Sequence, residues 1–171
     1  SVHCLIVGEP GDAHGRLLDR IEQLRLHDTV TLHGPVAQDA LVDIYARAAL
    51  FALPCQVTED GDRDGIPNVL VEAMAMGLPV VSTPISGIPE LIEHGRDGWL
   101  VPDRDADALA GALSTLLTDH VLRERLGTVA RQKIHSRFDA RVTTRMLFQL
   151  FSAALNETQA SHAARIPRGA L

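Results

Sequence analysis

Two carboxylates eight residues apart, Asp64 and Glu72, flank the step Gly65-Ile66-Pro67. The run from Pro67 to Met76 reads as a helix with proline at its first position, where the missing N–H would have lacked a partner anyway. Ile66 then takes the cap position. It has no side-chain oxygen, so the amides of Asn68 and Val69 are left without a local acceptor. Such amides at the positive end of a helix dipole, behind a glycine, suit an anion such as phosphate. Water or Asp64 would serve them equally well. The same helix is apolar on nearly every side through Val69, Leu70, Val71, Ala73, Met74, Ala75 and Met76, and a helix of that kind is expected to be buried. Glu72 in its middle therefore needs partners to offset desolvation. The vicinal hydroxyls of a ribose would supply two, and backbone groups or an arginine would also do. With one acid in the loop and the other roughly 1.4 turns into the helix, the pair is spaced to bracket a phosphate between two polyols.

The elements that must position these groups alternate along the chain. Short apolar runs at Val2 to Val7, Thr29 to His33, Leu50 to Leu53, Pro79 to Ser82 and Trp99 to Val101 read as strands. Between them, residues 13 to 26, 38 to 48, Pro67 to Met76 and Pro89 to His94 read as helices. This alternation specifies an α/β fold, a doubly wound parallel sheet covered on both faces, with ligands at the carboxyl ends of its strands. A second Gly-Ile-Pro, Gly87-Ile88-Pro89, stands where another such loop enters a helix. From residue 105 onward the pattern is helical, ending in a helix from Val142 to Ala154, and the tail from Gln159 is expected to fray.

Composition removes several classes. The net charge of −6 and the lack of any Lys/Arg run argue against a nucleic-acid partner or an anionic membrane surface. Cys4 and Cys55, outside any C-x-x-C, read as inert core thiols of a reducing compartment. There is no run of about 20 apolar residues to span a bilayer. The opening residues do not resemble a signal peptide, so a cytoplasmic location is expected. Asp60, Asp62, Asp64 and Gly65 imitate the first half of a calcium loop. The twelfth position is Val71, however, with Glu72 one place late. The histidines have no metal-ligand spacing, and His33 and His94 are the two placed near the ends of elements. Ser86 before Gly87 is no nucleophile elbow. Gly8-Glu9-Pro10-Gly11 lacks the dinucleotide fingerprint. Glu90, in the first turn of a helix, suits the dipole whether or not it reaches a ligand.

The continuous run Asp64-Gly65-Ile66-Pro67-Asn68-Val69-Leu70-Val71-Glu72-Ala73-Met74-Ala75-Met76-Gly77-Leu78-Pro79-Val80-Val81-Ser82-Thr83 closely resembles the signature of the retaining nucleotide-sugar glycosyltransferases of family four, the "group 1" transferases of the GT-B fold. Ser86-Gly87-Ile88-Pro89-Glu90-Leu91-Ile92 and Asp97-Gly98-Trp99-Leu100-Val101-Pro102 continue the match in order. Val30-Thr31-Leu32-His33-Gly34 and Tyr45-Ala46-Arg47-Ala48 extend it upstream, so that it covers roughly residues 2 to 140.

The resemblance implies roles. Glu72 matches the second acid of the family's E-x7-E motif and would bind the ribose hydroxyls. Asp64 falls on the first acid, the contact to the transferred sugar, where the family usually carries the longer Glu. Gly65, Ile66, Asn68 and Val69 would present backbone to the diphosphate and sugar, with Glu90 a further contact to the donor. Pro35 and Val36 would lie against the base. The donor would be UDP- or GDP-linked, no cofactor or metal would be needed, and a hexose would pass to a glycan, lipid or small-molecule acceptor. On this reading residues 1–140 are the Rossmann-like donor half of a GT-B fold, 141–158 a crossover helix and 159–171 a tail. Members of the family begin this domain with one more strand and helix, which bear an Arg and a Lys against the diphosphate. They also carry an amino-terminal acceptor domain with a catalytic histidine. The sequence starts after both, so it is expected to be a fragment that holds a nucleotide with little turnover. Any membrane association would come through the absent domain, and the fragment is expected to self-associate. The competing reading is a non-catalytic doubly wound module for assembly or small-ligand binding.

Overall fold

The structure is a computed structural model that describes residues 2–57 and 65–164, with residues 156–164 described by their backbone alone. It divides into two compact units, Ser1–Arg47 and Ala48–Leu171. In the first unit β1 (Cys4–Val7) is followed by α1 (His14–Gln23), β2 (Val30–His33) and α2 (Gln38–Arg47). The strands pair in parallel, in register from Cys4 opposite Val30 to Val7 opposite His33. Ile21 and Tyr45 are the buried side chains of its two helices. The helix α1 ends in a Schellman turn: the Leu26 N–H donates to the Ile21 carbonyl at 2.9 Å and the Arg25 N–H to Glu22 at 3.0 Å. Arg25 takes the left-handed position, at φ 55°, that glycine usually fills.

The second unit carries β3 (Phe51–Leu53), α3 (Asn68–Ala75), β4 (Val80–Ser82), α4 (Ile88–Leu91) and β5 (Trp99–Leu100). The helices α5 (Ala106–Thr118), α6 (His120–Lys133) and α7 (Ala140–Ala164) follow, with a π turn over Ile134–Phe138 between the last two. The three strands form one parallel sheet in the order β3-β4-β5. Its central strand is wholly buried, since Val80, Val81 and Ser82 are each inaccessible, which accounts for the unbroken apolar run there. Val81, Val101, Ala112, Leu116 and Leu126 form a core against which Ala52, Trp99 and Leu122 pack. Aspartates cap both following helices: Asp105 accepts from the Ala108 N–H at 2.8 Å and Asp119 from the Leu122 N–H at 2.9 Å. The α3 helix closes with its own Schellman turn. Gly77, at φ 78°, donates to the Met74 carbonyl and Leu78 to that of Ala73, both at 3.0 Å. At that turn α6 comes so close that a methyl group on Gly127 would overlap the Gly77 carbonyl.

The α/β alternation holds at every expected element, with corrections in detail. Pro67 is the cap of α3, not its first helical residue; its ψ of 127° is extended and the helix starts at Asn68. Proline fixes φ but leaves ψ free, so both placements satisfy its ring. The helix begun near Pro89 stops at Leu91. Cys4 is exposed and Cys55 half-buried, and neither is in a disulfide. The expectation of two core cysteines therefore fails at Cys4, on a strand paired along one side within a two-stranded ladder. The α7 helix continues to Ala164, ten residues past the end of its apolar period at Ala154; residues 165–171 lie outside the described ones. Met146, Leu147, Phe148, Leu150, Phe151 and Leu155 along it are between 51% and 71% exposed. Among the described residues, no helix is long and apolar enough to cross a membrane.

Candidate functional site

In the second unit the loops leaving the carboxyl ends of β3, β4 and β5 are tied together by buried polar groups. The Ser82 hydroxyl donates to the Leu53 carbonyl at 2.7 Å and the Thr83 hydroxyl to that of Cys55 at 2.6 Å. Both side chains are almost fully buried, so each hydroxyl is satisfied while fixing the exit of β3 against β4. On the other side the Val101 N–H donates to the Ser82 carbonyl at 2.9 Å, which carries the ladder one residue beyond β5.

The chain leaving β4 turns at Ser86, a non-glycine residue at φ 49°, and meets the chain entering α3. The Gly87 N–H donates to the Gly65 carbonyl at 3.3 Å. A Cβ on Gly87 would fall 2.8 Å from Ile66 Cγ1 and 3.4 Å from the Gly65 oxygen. The two Gly-Ile-Pro steps thus lie against each other, and the second is glycine because the first leaves no room for a side chain. This contact brings together Gly65, Ile66, Asn68 and Val69 at one end of α3 with Ser86 and Gly87. Glu90 follows, exposed, in the first turn of α4. Pro67 makes no side-chain cap bond to α3, and no acid stands in the helix's first turn, so among the described residues its positive end carries no carboxylate.

Glu72 is half-buried, not sealed in an all-apolar helix. The inward face of α3 is Leu70, Ala73 and Met74, while Asn68, Glu72 and Met76 form a stripe at spacing four that reaches solvent at both ends. Glu72 and Val69 each already have an interaction partner within the protein. Asp64, Asp60 and Asp62 lie outside the described residues. Pro35 and Val36 belong to the first unit, in the loop that leaves β2, and His33 ends that strand with its Nδ1 3.1 Å from the Gly34 carbonyl oxygen.

Two residues in the Asp97-Gly98-Trp99 run hold the site from behind. Asp97 is buried, accepts from the Glu93 N–H at 2.7 Å and pairs with Lys133 Nζ at 2.8 Å. Gly98 has no space for a side chain, because a Cβ would sit 2.9 Å from Val80 Cγ2 and 2.8 Å from Ile92 Cγ2. His94 is structural: its Nδ1 accepts from the Leu100 N–H at 3.0 Å and its ring meets Trp99 edge-on at 4.9 Å. A hollow of about 930 Å³ lies at the opposite end of α3, bordered by Met76, Gly77, Gly127, Arg131 and His135. It shares no residue with the loops described above.

Comparison with known proteins gives this geometry its setting. The family model described as glycosyl transferases group 1 matches residues 1–119. A putative colanic acid biosynthesis glycosyltransferase of Salmonella typhimurium, WcaL, is 43% identical over 136 residues, which is 79% of this chain and 34% of that protein. The amylovoran biosynthesis glycosyltransferase AmsK of Erwinia amylovora is 41% identical over 140 residues, 82% of this chain and 34% of that one. The chain thus spans about a third of the length of these relatives. Among solved structures, Anabaena Alr3699/HepE in complex with UDP superposes with a TM-score of 0.78 at 26% identity, covering 89% of this chain and 41% of that one.

Proposed function

The chain belongs to the glycosyl transferases group 1 family, and from that premise we propose that it is the nucleotide-sugar-binding part of a retaining glycosyltransferase. The enzyme moves a hexose from a UDP- or GDP-linked donor to a glycan, lipid or small-molecule acceptor, with polysaccharide biosynthesis the setting that the relatives' names suggest. The observation that carries this reading is the contact of the two Gly-Ile-Pro loops at the start of α3. It fixes backbone around a positive helix end, where a diphosphate gains from the dipole and from N–H donors.

Each group then has a task. Glu72, one turn into α3 and half-exposed, accepts hydrogen bonds from the ribose hydroxyls. Asp64 takes the transferred sugar, and Gly65, Ile66, Asn68 and Val69 face the diphosphate. Charge on the departing diphosphate is met by the helix dipole and basic side chains, with no metal in the reaction. The 171-residue chain alone should bind nucleotide weakly and turn over little. Support comes from the UDP complex of the Anabaena enzyme, similar over most of this chain.

Amide chemical-shift mapping of the 171-residue chain with UDP and with GDP tests the placement. Shifts should centre on residues 65–70 and 86–90. Shifts confined to residues beyond 105 would reject it.

A further inference from the structure

Arg104 follows β5, just before the Asp105 cap of α5, and holds a backbone conformation that disfavours it, at φ 58°. A side chain in the left-handed region costs roughly 1–2 kcal/mol that glycine would not incur, so what Arg104 contributes must lie in its side chain. The guanidinium donates through Nη2 to the Val57 carbonyl at 3.0 Å. Val57 lies in the loop leaving β3, and Arg104 in the loop leaving β5, with β4 between the two strands. The bond therefore spans the carboxyl edge of the sheet, where parallel α/β folds take their ligands. Its other polar contact, to Asp103 at 4.0 Å with both side chains about half exposed, is too weak to explain the conformation. Among the described residues of the loops at 54–57, 65–67, 83–87 and 101–105, Arg104 is the one Lys or Arg.

We infer that Arg104 is a positioning residue of the donor site: its side chain ties down residues 54–57, which leave β3 at the carboxyl edge of the sheet. This rests on the donor-site reading above. Ser82 and Thr83 fix that loop as far as Cys55, and Arg104 adds a third tie two residues later. A tie of this kind orders residues 54–57 before ligand arrives and so lowers the entropy lost on binding.

The test compares the wild-type 171-residue chain with Arg104→Gly, using whichever of UDP and GDP the wild type binds more tightly. Arg104→Gly should leave Tm unchanged or raise it, because the strain is relieved. The Kd should rise about three- to tenfold, as expected for loss of one charged hydrogen bond at a partly exposed site. The ratio of the two Kd values should be the same at low and at high salt, since a tie acts through geometry and a direct charge contact would be screened. The amide signals of Gln56 and Val57 should move before any nucleotide is added. Equal affinity in the two chains, a ratio that vanishes at high salt, or a lowered Tm would each overturn the inference. A wild-type chain that binds neither nucleotide would instead overturn the donor-site reading, and this inference with it.

Discussion

Replacing Gly87 by Ala tests the loop contact on which the functional reading stands. Gly87 has φ −84° and ψ −2°, ordinary for alanine, so the backbone itself is no obstacle. In an open position the change would stabilise by about 0.4–1 kcal/mol through the unfolded chain. Here the new methyl meets Ile66 Cγ1 at 2.8 Å and the Gly65 oxygen at 3.4 Å. Relief needs a shift of close to 1 Å, in either Ile66 or the loop carrying Gly65. Overpacking of this sort costs about 1–3 kcal/mol, for a net loss of roughly 1–2 kcal/mol, or about 2–8 °C in Tm at this chain length. Because the methyl displaces the chain entering α3, nucleotide affinity should fall as well. Urea denaturation and UDP titration of four chains measure both effects: wild type, Gly87→Ala, Ile66→Ala and the double variant. Ile66→Ala removes the clashing Cγ1, so the double variant should be at least about 1 kcal/mol more stable than the sum of the single effects allows. Strict additivity would show that the two loops do not press on each other, and the reasoning would fall.

Three further outcomes follow from the same structure. On the proposed donor-site reading, in a protein that carries the acceptor domain as well, Glu72→Gln should weaken donor and free nucleotide alike, whereas Asp64→Asn should mainly lower kcat; equal loss of nucleotide affinity in both would end that division of roles. Asp97→Ala leaves the Lys133 ammonium, 14% exposed as a side chain, without its partner and should cost about 3 kcal/mol in denaturation experiments; a loss below 1 kcal/mol would mean that water reaches the pair. Sedimentation at several concentrations should show association of the chain through the apolar stripe of Leu147, Phe148, Phe151 and Leu155 on α7; a constant monomer mass across the micromolar range would refute it.

The elements were legible because their apolar periods are clean, as in the strand Pro79-Val80-Val81-Ser82 and the helix starting near Pro67. What escaped was set by long-range packing. Whether Pro67 caps or begins α3 turns on ψ alone, which the neighbouring loop decides. Glu72 looked buried because every adjacent residue is apolar, yet helical spacing puts it in line with Asn68 and the exposed Met76. The Asp97–Lys133 pair joins residues 36 positions apart, and nothing in either neighbourhood announces it. A glycine inside a helix, such as Gly127, reads as a weak point in a sequence and as a contact only in three dimensions. Of the site, the meeting of the two Gly-Ile-Pro steps was hinted at by their repetition. Asp64 lies outside the described residues, and Pro35 and Val36 are placed only on their own loop.

The close approach of Gly127 to the turn at Gly77 carries a consequence for genetics. The α3 helix is a rigid rod of about 12 Å, with that turn at one end and the Gly65–Gly87 contact at the other. A side chain at Gly127 pushes on the rod from the rear, and the displacement arrives at the front. On the proposed donor-site reading, a screen for lost transfer should therefore recover Gly127 substitutions beside those in the loops, although Gly127 lies against the turn at Gly77, at the other end of α3. Growth at reduced temperature sorts the two classes: rear alleles regain activity as the fold tightens, and alleles that remove a donor contact do not.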